Sequence, residues 1–275
     1  MTAPFTEYRE ISVTDPLRQG DVLEAVDAGA SMWQRHLLVI TADCDLAFAK
    51  HQGRVTCVPL LAAEEYLMEM QIPRLREKYM KKAIERLCSL MPEAAPRVSD
   101  TRLRAWCSEV DPDEIITSLG LSGRNAGTAI AVLTSIRLLN SPAKSLKEAV
   151  EILVDALLAA PNPQKRENVV QQIVGALRAP YAQPPGDALF LSAIAPRHDL
   201  GYFAYLRQLE QVREPEIAIG PTRSPALYRR ISRLRDRYVH ALAQRFALVF
   251  MSIGLPAEYE EIRDLHSELL GETYR

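Results

Sequence analysis

The spacing of hydrophobic and polar positions changes along the chain and predicts strands first, then helices. Near the N-terminus, short apolar runs flanked by turn signals predict strands at residues 22–26, 35–40 and 54–60. Pro59 lacks the N–H that a strand ladder uses, so we expect the third strand to end there or to lie at a sheet edge. From residue 62 to residue 180, apolar residues recur every three or four positions, which is typical of amphipathic helices.

Capping signals divide this helical stretch. Ser99 and Ser145 each precede a segment of helical period, and Asp111 precedes Pro112 at a first helical position. Pro73 interrupts the first amphipathic segment, which predicts two helical pieces there.

Strand character returns after a Pro- and Gly-containing linker at residues 181–186. Short segments between residues 188 and 212 predict strands, and an apolar stripe over residues 226–252 predicts one long closing helix. Gly254 and Pro256 follow that stripe as a helix stop.

The succession of strands, helices and strands predicts an α+β fold with two structural units. Residues 1–61 and 181–275 form a split β-rich unit with C-terminal helices. Residues 62–180 form an all-helical domain inserted between its two halves.

Composition narrows the classes of function. The 275 residues are 48% hydrophobic and 25% charged with a net charge of −2, which argues against a dedicated nucleic-acid coat. No apolar run approaches the roughly 18 residues of a membrane helix. Four cysteines without a C-x-x-C pair predict free thiols in a reducing compartment. We expect a cytoplasmic protein that holds no structural metal and no other cofactor.

The first candidate for chemistry is the segment Thr-Ala-Asp-Cys-Asp, which directly follows the strand at residues 35–40. Asp43 and Asp45 would point the same way in an extended chain and could clamp a divalent metal. The alternative is a local turn in which both carboxylates accept backbone amides. Cys44 would act as a nucleophile only with a histidine base beside it.

An arginine-rich stretch is the second candidate. On the predicted closing helix, Arg229, Arg233 and Arg237 fall at four-residue spacing on one face. Such a face can bind the phosphates of RNA or an acidic partner. The alternative is a solvated face balanced by the acidic C-terminal tail.

Residues 112–133 are compatible with a helix-turn-helix, the third candidate. Its second helix offers only Arg124, Asn125 and Thr128 for reading bases, so an ordinary helical hairpin is the other interpretation. The sequence contains no Gly-rich phosphate loop, no G-x-S-x-G and no H-E-x-x-H.

Segments at both ends share their order with a known family. Gly-Asp-Val at residues 20–22, the strand at 35–40 and a strand at 55–60 ending in Val-Pro-Leu resemble the start of MazF/PemK/Kid-type toxins. The strands between residues 188 and 212 and the Arg-rich segment 228–237 resemble the rest of that plan. Those toxins are small SH3-like barrels that cleave RNA without metal. The resemblance implies a small SH3-like β-barrel split by the helical domain and closed by the long C-terminal helix.

On this resemblance, Arg35 takes the position of the family's catalytic arginine. Leu61 stands where the family has a catalytic Thr or Ser, and His36 replaces the usual proline. One member of the family's acid–base pair is therefore missing. We expect a non-catalytic regulatory or interaction protein of a bacterial stress or phage-defence system. It would bind a protein partner through the helical domain, or RNA through the arginine face.

Two alternatives remain open. A divergent endoribonuclease would use Arg35 to stabilise charge on the phosphate and Asp43 or Asp45 as the base. A DNA-binding regulator would depend on the helix-turn-helix at residues 112–133.

Overall fold

The computed structural model of the chain describes residues 6–91, 99–183, 186–220, 225–250, 261–262 and 264–266. Within these residues the fold is α+β, and a curled antiparallel half-barrel sheet accompanies a large helical region. In the same ranges, no helix combines the length and the apolar character needed to cross a membrane.

The strands are Tyr8–Arg9 (β1), Asp21–Ala25 (β2), His36–Val39 (β3), Arg54–Ala62 (β4), Ala188–Leu191 (β5), Tyr202–Tyr205 (β6), Glu210–Arg213 (β7), Ile217–Ala218 (β8) and Tyr228–Leu234 (β9). The α-helices are Met32–Arg35 (α1), Asp43–Ala47 (α2), Ala63–Tyr66 (α3), Ile72–Cys88 (α4), Asp100–Glu109 (α5), Pro112–Ser118 (α6), Gly123–Asn140 (α7), Leu146–Ala159 (α8), Arg166–Ala182 (α9) and Asp236–Phe250 (α10). A π-helical turn at Leu67–Gln71 joins α3 to α4.

The sheet is organised around β4, which changes partner along its length. The strand order is β1-β9-β2-β3-β4-β6-β5, with β7 also pairing with β4 and β8 lying parallel to β9. On one side of β4, β7 pairs with residues 54–57 and β6 pairs with residues 60–62, so Pro59 falls in the gap between the two partners. On the other side Pro59 pairs with Leu37. The expectation that the strand ends at Pro59 or lies at an edge is therefore wrong.

The helical region has no strand among its described residues between 63 and 182. The side chains of Ser99, Asp111 and Ser145 each accept a backbone N–H at a helix N-terminus, as predicted. Pro73 lies in the first turn of α4, where the missing N–H is tolerated, and the π-helical turn keeps the chain helical from α3 into α4.

Apolar side chains form separate clusters in the helices and on the sheet. The helical cluster draws on α4 to α9 and contains the fully buried Leu133. Leu37 and Leu38 of β3 belong to two further clusters, one on each face of the sheet, because neighbouring strand residues point to opposite faces. A smaller cluster links sheet and helices. In it, Tyr66 of α3 stacks on Phe203 of β6 with ring centroids 4.1 Å apart.

The predicted helix over residues 226–252 is wrong in its first part. That part forms strand β9, and helix α10 begins only at Asp236. Gly254 and Pro256, the predicted helix stop, lie outside the described residues.

A β-bulge explains why the strand was not predicted. Val22 of β2 pairs with Ser232, but the next residue, Leu23, pairs with Arg230, so Ile231 has no partner in β2. The extra residue interrupts the alternation of buried and exposed positions that marks a strand. What remains in the sequence is an apolar spacing that also fits a helix.

Candidate functional site

A row of polar side chains crosses three neighbouring strands. In the antiparallel register, Glu24 of β2 lies opposite His36 of β3 on one side and opposite Arg229 of β9 on the other. Side chains in register on adjacent strands stand close enough to interact. The Arg229 guanidinium donates to Glu24 Oε2 from Nε at 2.7 Å, and its Nη2 lies 2.6 Å from the same oxygen.

His198 joins this row from the connection between β5 and β6. A tight turn pairs Ala195 with His198, with Arg197 in the left-handed region at φ +67°. Nδ1 of His198 lies 3.1 Å from the carbonyl oxygen of Pro196, and Nε2 lies 3.2 Å from Oε1 of Glu24. The turn therefore fixes the ring and directs Nε2 toward the carboxylate.

Glu24, His36 and His198, which we call the Glu24 cluster, converge on one point. Each contributes one potential ligand atom, and the three atoms lie within 4.8 Å of one another. His36 Nε2 is 3.7 Å from Glu24 Oε1, and the two imidazole centroids are 5.2 Å apart. The His36 side chain is only 10% exposed, and its Nε2 has no hydrogen-bond partner in the described part of the chain.

Burial and charge set the protonation of this cluster. Burial alone raises the pKa of Glu24, but hydrogen bonds from Arg229 and His198 outweigh it and hold the pKa below its ordinary value. Burial lowers the pKa of His36, and the charge of His198 lowers it further. The His36 ring is therefore neutral at pH 7.

A second ion pair borders the cluster. Arg35 Nη1 lies 2.5 Å from Oε1 of Glu65, whose Oε2 accepts the backbone N–H of Ala62 at the start of α3. The Arg35 side chain is 44% exposed, and its charge contributes to the lowered pKa of His36. Tyr202 packs edge-on against His36 at 5.7 Å, and burial raises the pKa of its hydroxyl.

The structure does not bring together the residues that the sequence suggested for RNA cleavage. Arg35 precedes β3, whereas Asp43 and Asp45 lie in α2 beyond its other end. The four residues of β3 alone span roughly 13 Å at about 3.3 Å each. Asp43 accepts the backbone N–H of Gln19 at 2.8 Å, a contact between residues 24 positions apart and not the local turn offered as the alternative.

The three arginines predicted to share a helix face occupy three different environments. Arg229 pairs with Glu24 at the surface, and Arg237 is exposed on α10. Arg233 is 5% exposed and pairs with the buried Asp21 at 2.5 Å, because β9 is a strand and not part of a helix. The premise of one continuous arginine face is therefore wrong.

Residues 112–133 form α6, a short connection and the first part of α7. Helix α7 packs on α4 and α8 through a buried face that includes Ala129 and Leu133. Both interpretations of this segment required a helix pair, and the structure contains it.

Sequence reasoning missed the role of Glu24 and of His198. The ligand atoms come from β2, β3 and the β5–β6 connection, so no short spacing in the sequence marks them. The one available signal was local: Glu24 is a carboxylate in the otherwise apolar predicted strand at residues 22–26, two residues after the fully buried Val22.

No family model, no curated protein and no solved structure matches this chain. The chemistry of the site is therefore argued from its own geometry. One carboxylate, two imidazoles and two flanking guanidinium groups, on Arg35 and Arg229, can bind an anionic substrate and act on it.

Proposed function

We propose that the protein is a divergent endoribonuclease whose active site is the Glu24 cluster with Arg35 and Arg229. The observation that carries the proposal is the convergence of Glu24, His36 and His198, with Arg229 bound to Glu24 and the charge of Arg35 acting on His36. Leu61 lacks the hydroxyl of the catalytic Thr or Ser found in the toxins. The proposed active site does not use that position, so this loss leaves its acid–base groups in place.

The sheet supports this proposal at the level of the fold. A curled antiparallel half-barrel is compatible with an SH3-like barrel of the toxin kind. We propose that residues 1–61 and 181–275 form that split barrel, and that residues 62–180 are an insertion in it. On the same resemblance we assign the protein to a cytoplasmic bacterial stress or defence system.

The arginines would hold the scissile phosphate. A guanidinium has five N–H donors, so Arg35 and Arg229 retain donors for phosphate oxygens beyond those used by Glu65 and Glu24. In RNA cleavage the 2′-oxygen attacks phosphorus, the bond to the 5′-oxygen breaks, and a proton moves from the former to the latter. The Glu24 cluster offers acceptor and donor groups for that transfer.

Incubation of purified protein with a long RNA tests the proposal, with added Mg²⁺, with added Zn²⁺ and with EDTA. Cleavage is expected, and Arg35→Ala or Arg229→Ala should slow it by about 10²–10³-fold, as for removal of a charge-stabilising donor. Arg237→Ala is the matched control, because Arg237 is exposed on α10 away from the cluster. Absence of cleavage by folded protein under every condition would refute the nuclease.

A protein-binding role is the second candidate, and an apolar groove on the helical region favours it. The groove runs between α3, α8 and α9 and has a volume of about 710 Å³. Its apolar lining includes Val150, Val170 and Val174, and the neighbouring Leu200 is 77% exposed. A partner helix with an apolar stripe would fit this chemistry.

This second role predicts a partner that depends on the groove. Val174→Glu should abolish co-purification of a defined protein that wild type retains, while Arg237→Ala keeps it. A complex that survives Val174→Glu unchanged would locate the interaction elsewhere.

A further inference from the structure

We propose that Glu24, His36 and His198 bind a divalent transition-metal ion, with Zn²⁺ as the best fit. The inference deepens the proposed function and rests on it for the catalytic role of the metal. Binding itself is argued from the three side chains alone.

The donor set is that of a zinc site. Two imidazoles and one carboxylate favour Zn²⁺ and related transition metals, whereas Mg²⁺ and Ca²⁺ prefer sites made only of oxygen. Three protein ligands with a fourth position open to water are the arrangement of hydrolytic zinc sites.

The distances between donor atoms also match. Four ligands placed tetrahedrally at about 2.0–2.1 Å from Zn²⁺ stand about 3.4 Å apart. Glu24 Oε1 lies 3.2 Å from His198 Nε2 and 3.7 Å from His36 Nε2. The two imidazole nitrogens are at most 4.8 Å apart, so a small rotation of the partly exposed His198 ring closes the triangle.

His36 gives an independent reason to expect a ligand. Its side chain is nine-tenths buried, and within the described residues its Nε2 makes no hydrogen bond although Glu24 and His198 surround it. A buried ring nitrogen without a partner is costly, and coordination to a metal would remove that cost.

The surroundings orient the ligands as they do in metal sites. The Pro196 carbonyl accepts Nδ1–H of His198, so a metal would bind at Nε2 in place of the proton that Nε2 donates to Glu24. Arg229 binds Glu24 Oε2 and leaves Oε1 facing the two histidines. Arg229 is therefore a positioning residue for the metal as well as a candidate phosphate ligand.

With the metal bound, Glu24, His36 and His198 would serve as its ligands, and a water molecule at the open position would take over the proton transfer otherwise assigned to them. The Arg35 guanidinium would then face the substrate phosphate from the side of α1.

Zinc titration of EDTA-treated, dialysed full-length protein tests the site by calorimetry, and Co²⁺ substitution tests it by visible absorption. One Zn²⁺ per chain is expected, together with the absorption bands of tetrahedral Co²⁺. His198→Gln and Glu24→Gln should weaken binding at least a hundredfold. His240→Gln is the matched control, since His240 is exposed on α10.

His36 is buried, so His36→Gln is compared with wild type by circular dichroism before titration, and His198→Gln stands in if that variant does not fold. Failure of wild type to bind Zn²⁺, or unchanged binding in both His198→Gln and Glu24→Gln, overturns the site. Zinc binding without RNA cleavage supports the metal site and refutes only the nuclease. RNA cleavage by a protein that binds no zinc supports the nuclease and refutes only the metal site.

Discussion

Asp21 is a fully buried carboxylate that pairs with two arginines of β9. Its oxygens lie 2.5 Å from Arg233 Nε and 3.2 Å from Arg230 Nη1, and all three side chains are at most 5% exposed. Arg230 also donates to the carbonyl oxygens of Ser12 and Asp15. These arginines therefore tie the N-terminal segment to the sheet, and the single carboxylate of Asp21 offsets half of their combined charge.

Removing that carboxylate charge should destabilise the fold strongly. We expect Asp21→Asn to lower the free energy of unfolding by about 3–5 kcal/mol, because it leaves two buried guanidinium groups without a counter-ion. Urea denaturation measures this. The exposed pair Asp155–Arg166 is the control, since Asp155→Asn should cost under about 1 kcal/mol. Equal effects of the two substitutions would contradict the role given to Asp21.

His51 makes stability depend on pH. The carbonyl oxygen of Asp45 and the carboxylate of Glu214 both accept from its ring, which raises its pKa above the ordinary value. The stabilisation is therefore complete below the ordinary histidine pKa and is lost as the pH rises through the raised pKa. Denaturant melts from pH 5.5 to 8.5 should show His51→Ala destabilised at low pH and converging on wild type at high pH. A constant difference across that range would exclude His51 as the cause.

At the scale of elements, the sequence predicted helices well and one strand badly. Ser99, Asp111 and Ser145 cap helices because capping depends on a side chain and the next three residues, which the sequence contains locally. Strand β9 depends on partners more than 200 residues away, such as Val22. Its bulge at Ile231 also removes the only local signal.

Gly20 forms the entrance to β2 and packs against α10. Its φ is +87°, and a Cβ there would lie 2.4 Å from Cγ2 of Val239. We expect Gly20→Ala to cost about 2–4 kcal/mol from backbone strain and overpacking together.

The double variant Gly20→Ala with Val239→Ala isolates the packing part. Thermal melts should show the two substitutions costing less together than the sum of the single changes, because the second relieves the clash of the first. Strict additivity would mean that backbone strain accounts for the whole effect.

At the scale of the whole molecule, Phe203 connects the sheet to the helices. It is fully buried and stacks on Tyr66, and it also contacts the ring of Phe190 at 5.1 Å. Phe203→Ala should lower the free energy of unfolding by about 3–5 kcal/mol.

The same substitution should also uncouple the two regions, because their hydrophobic clusters are otherwise separate. Circular dichroism at 222 nm reports mainly on helices, and near-ultraviolet signals report on aromatic side-chain packing, to which the sheet contributes Tyr202, Tyr205 and Tyr228. We expect the two transitions to coincide in wild type and to separate in Phe203→Ala. Leu133→Ala is the control, because it also truncates a fully buried side chain but lies within the helical cluster.

The candidate site could not be predicted from the sequence for a physical reason. Its metal-ligating atoms meet only after β2 pairs with β3 and the turn at His198 folds onto them. The sequence did indicate Arg35, by its place in the toxin-like pattern, and Arg229, by its spacing in an arginine-rich segment. It assigned the base to Asp43 or Asp45 instead, because a carboxylate next to a strand end resembles a site even where it serves a loop.

The bulge at Ile231 changes which residues of β9 share a face of the sheet. In an unbroken strand, Arg229 and Arg233 would share one face and Arg230 the other. With the extra residue, Arg230 and Arg233 both reach Asp21 while Arg229 reaches Glu24. The extra residue therefore places Arg233 on the face of Arg230 and Asp21, opposite the face of Arg229 and Glu24. Deleting Ile231 would leave a regular ladder with the same pairs, Glu24 with Arg229 and Asp21 with Arg233, so both sets of ion pairs should survive the loss of the bulge.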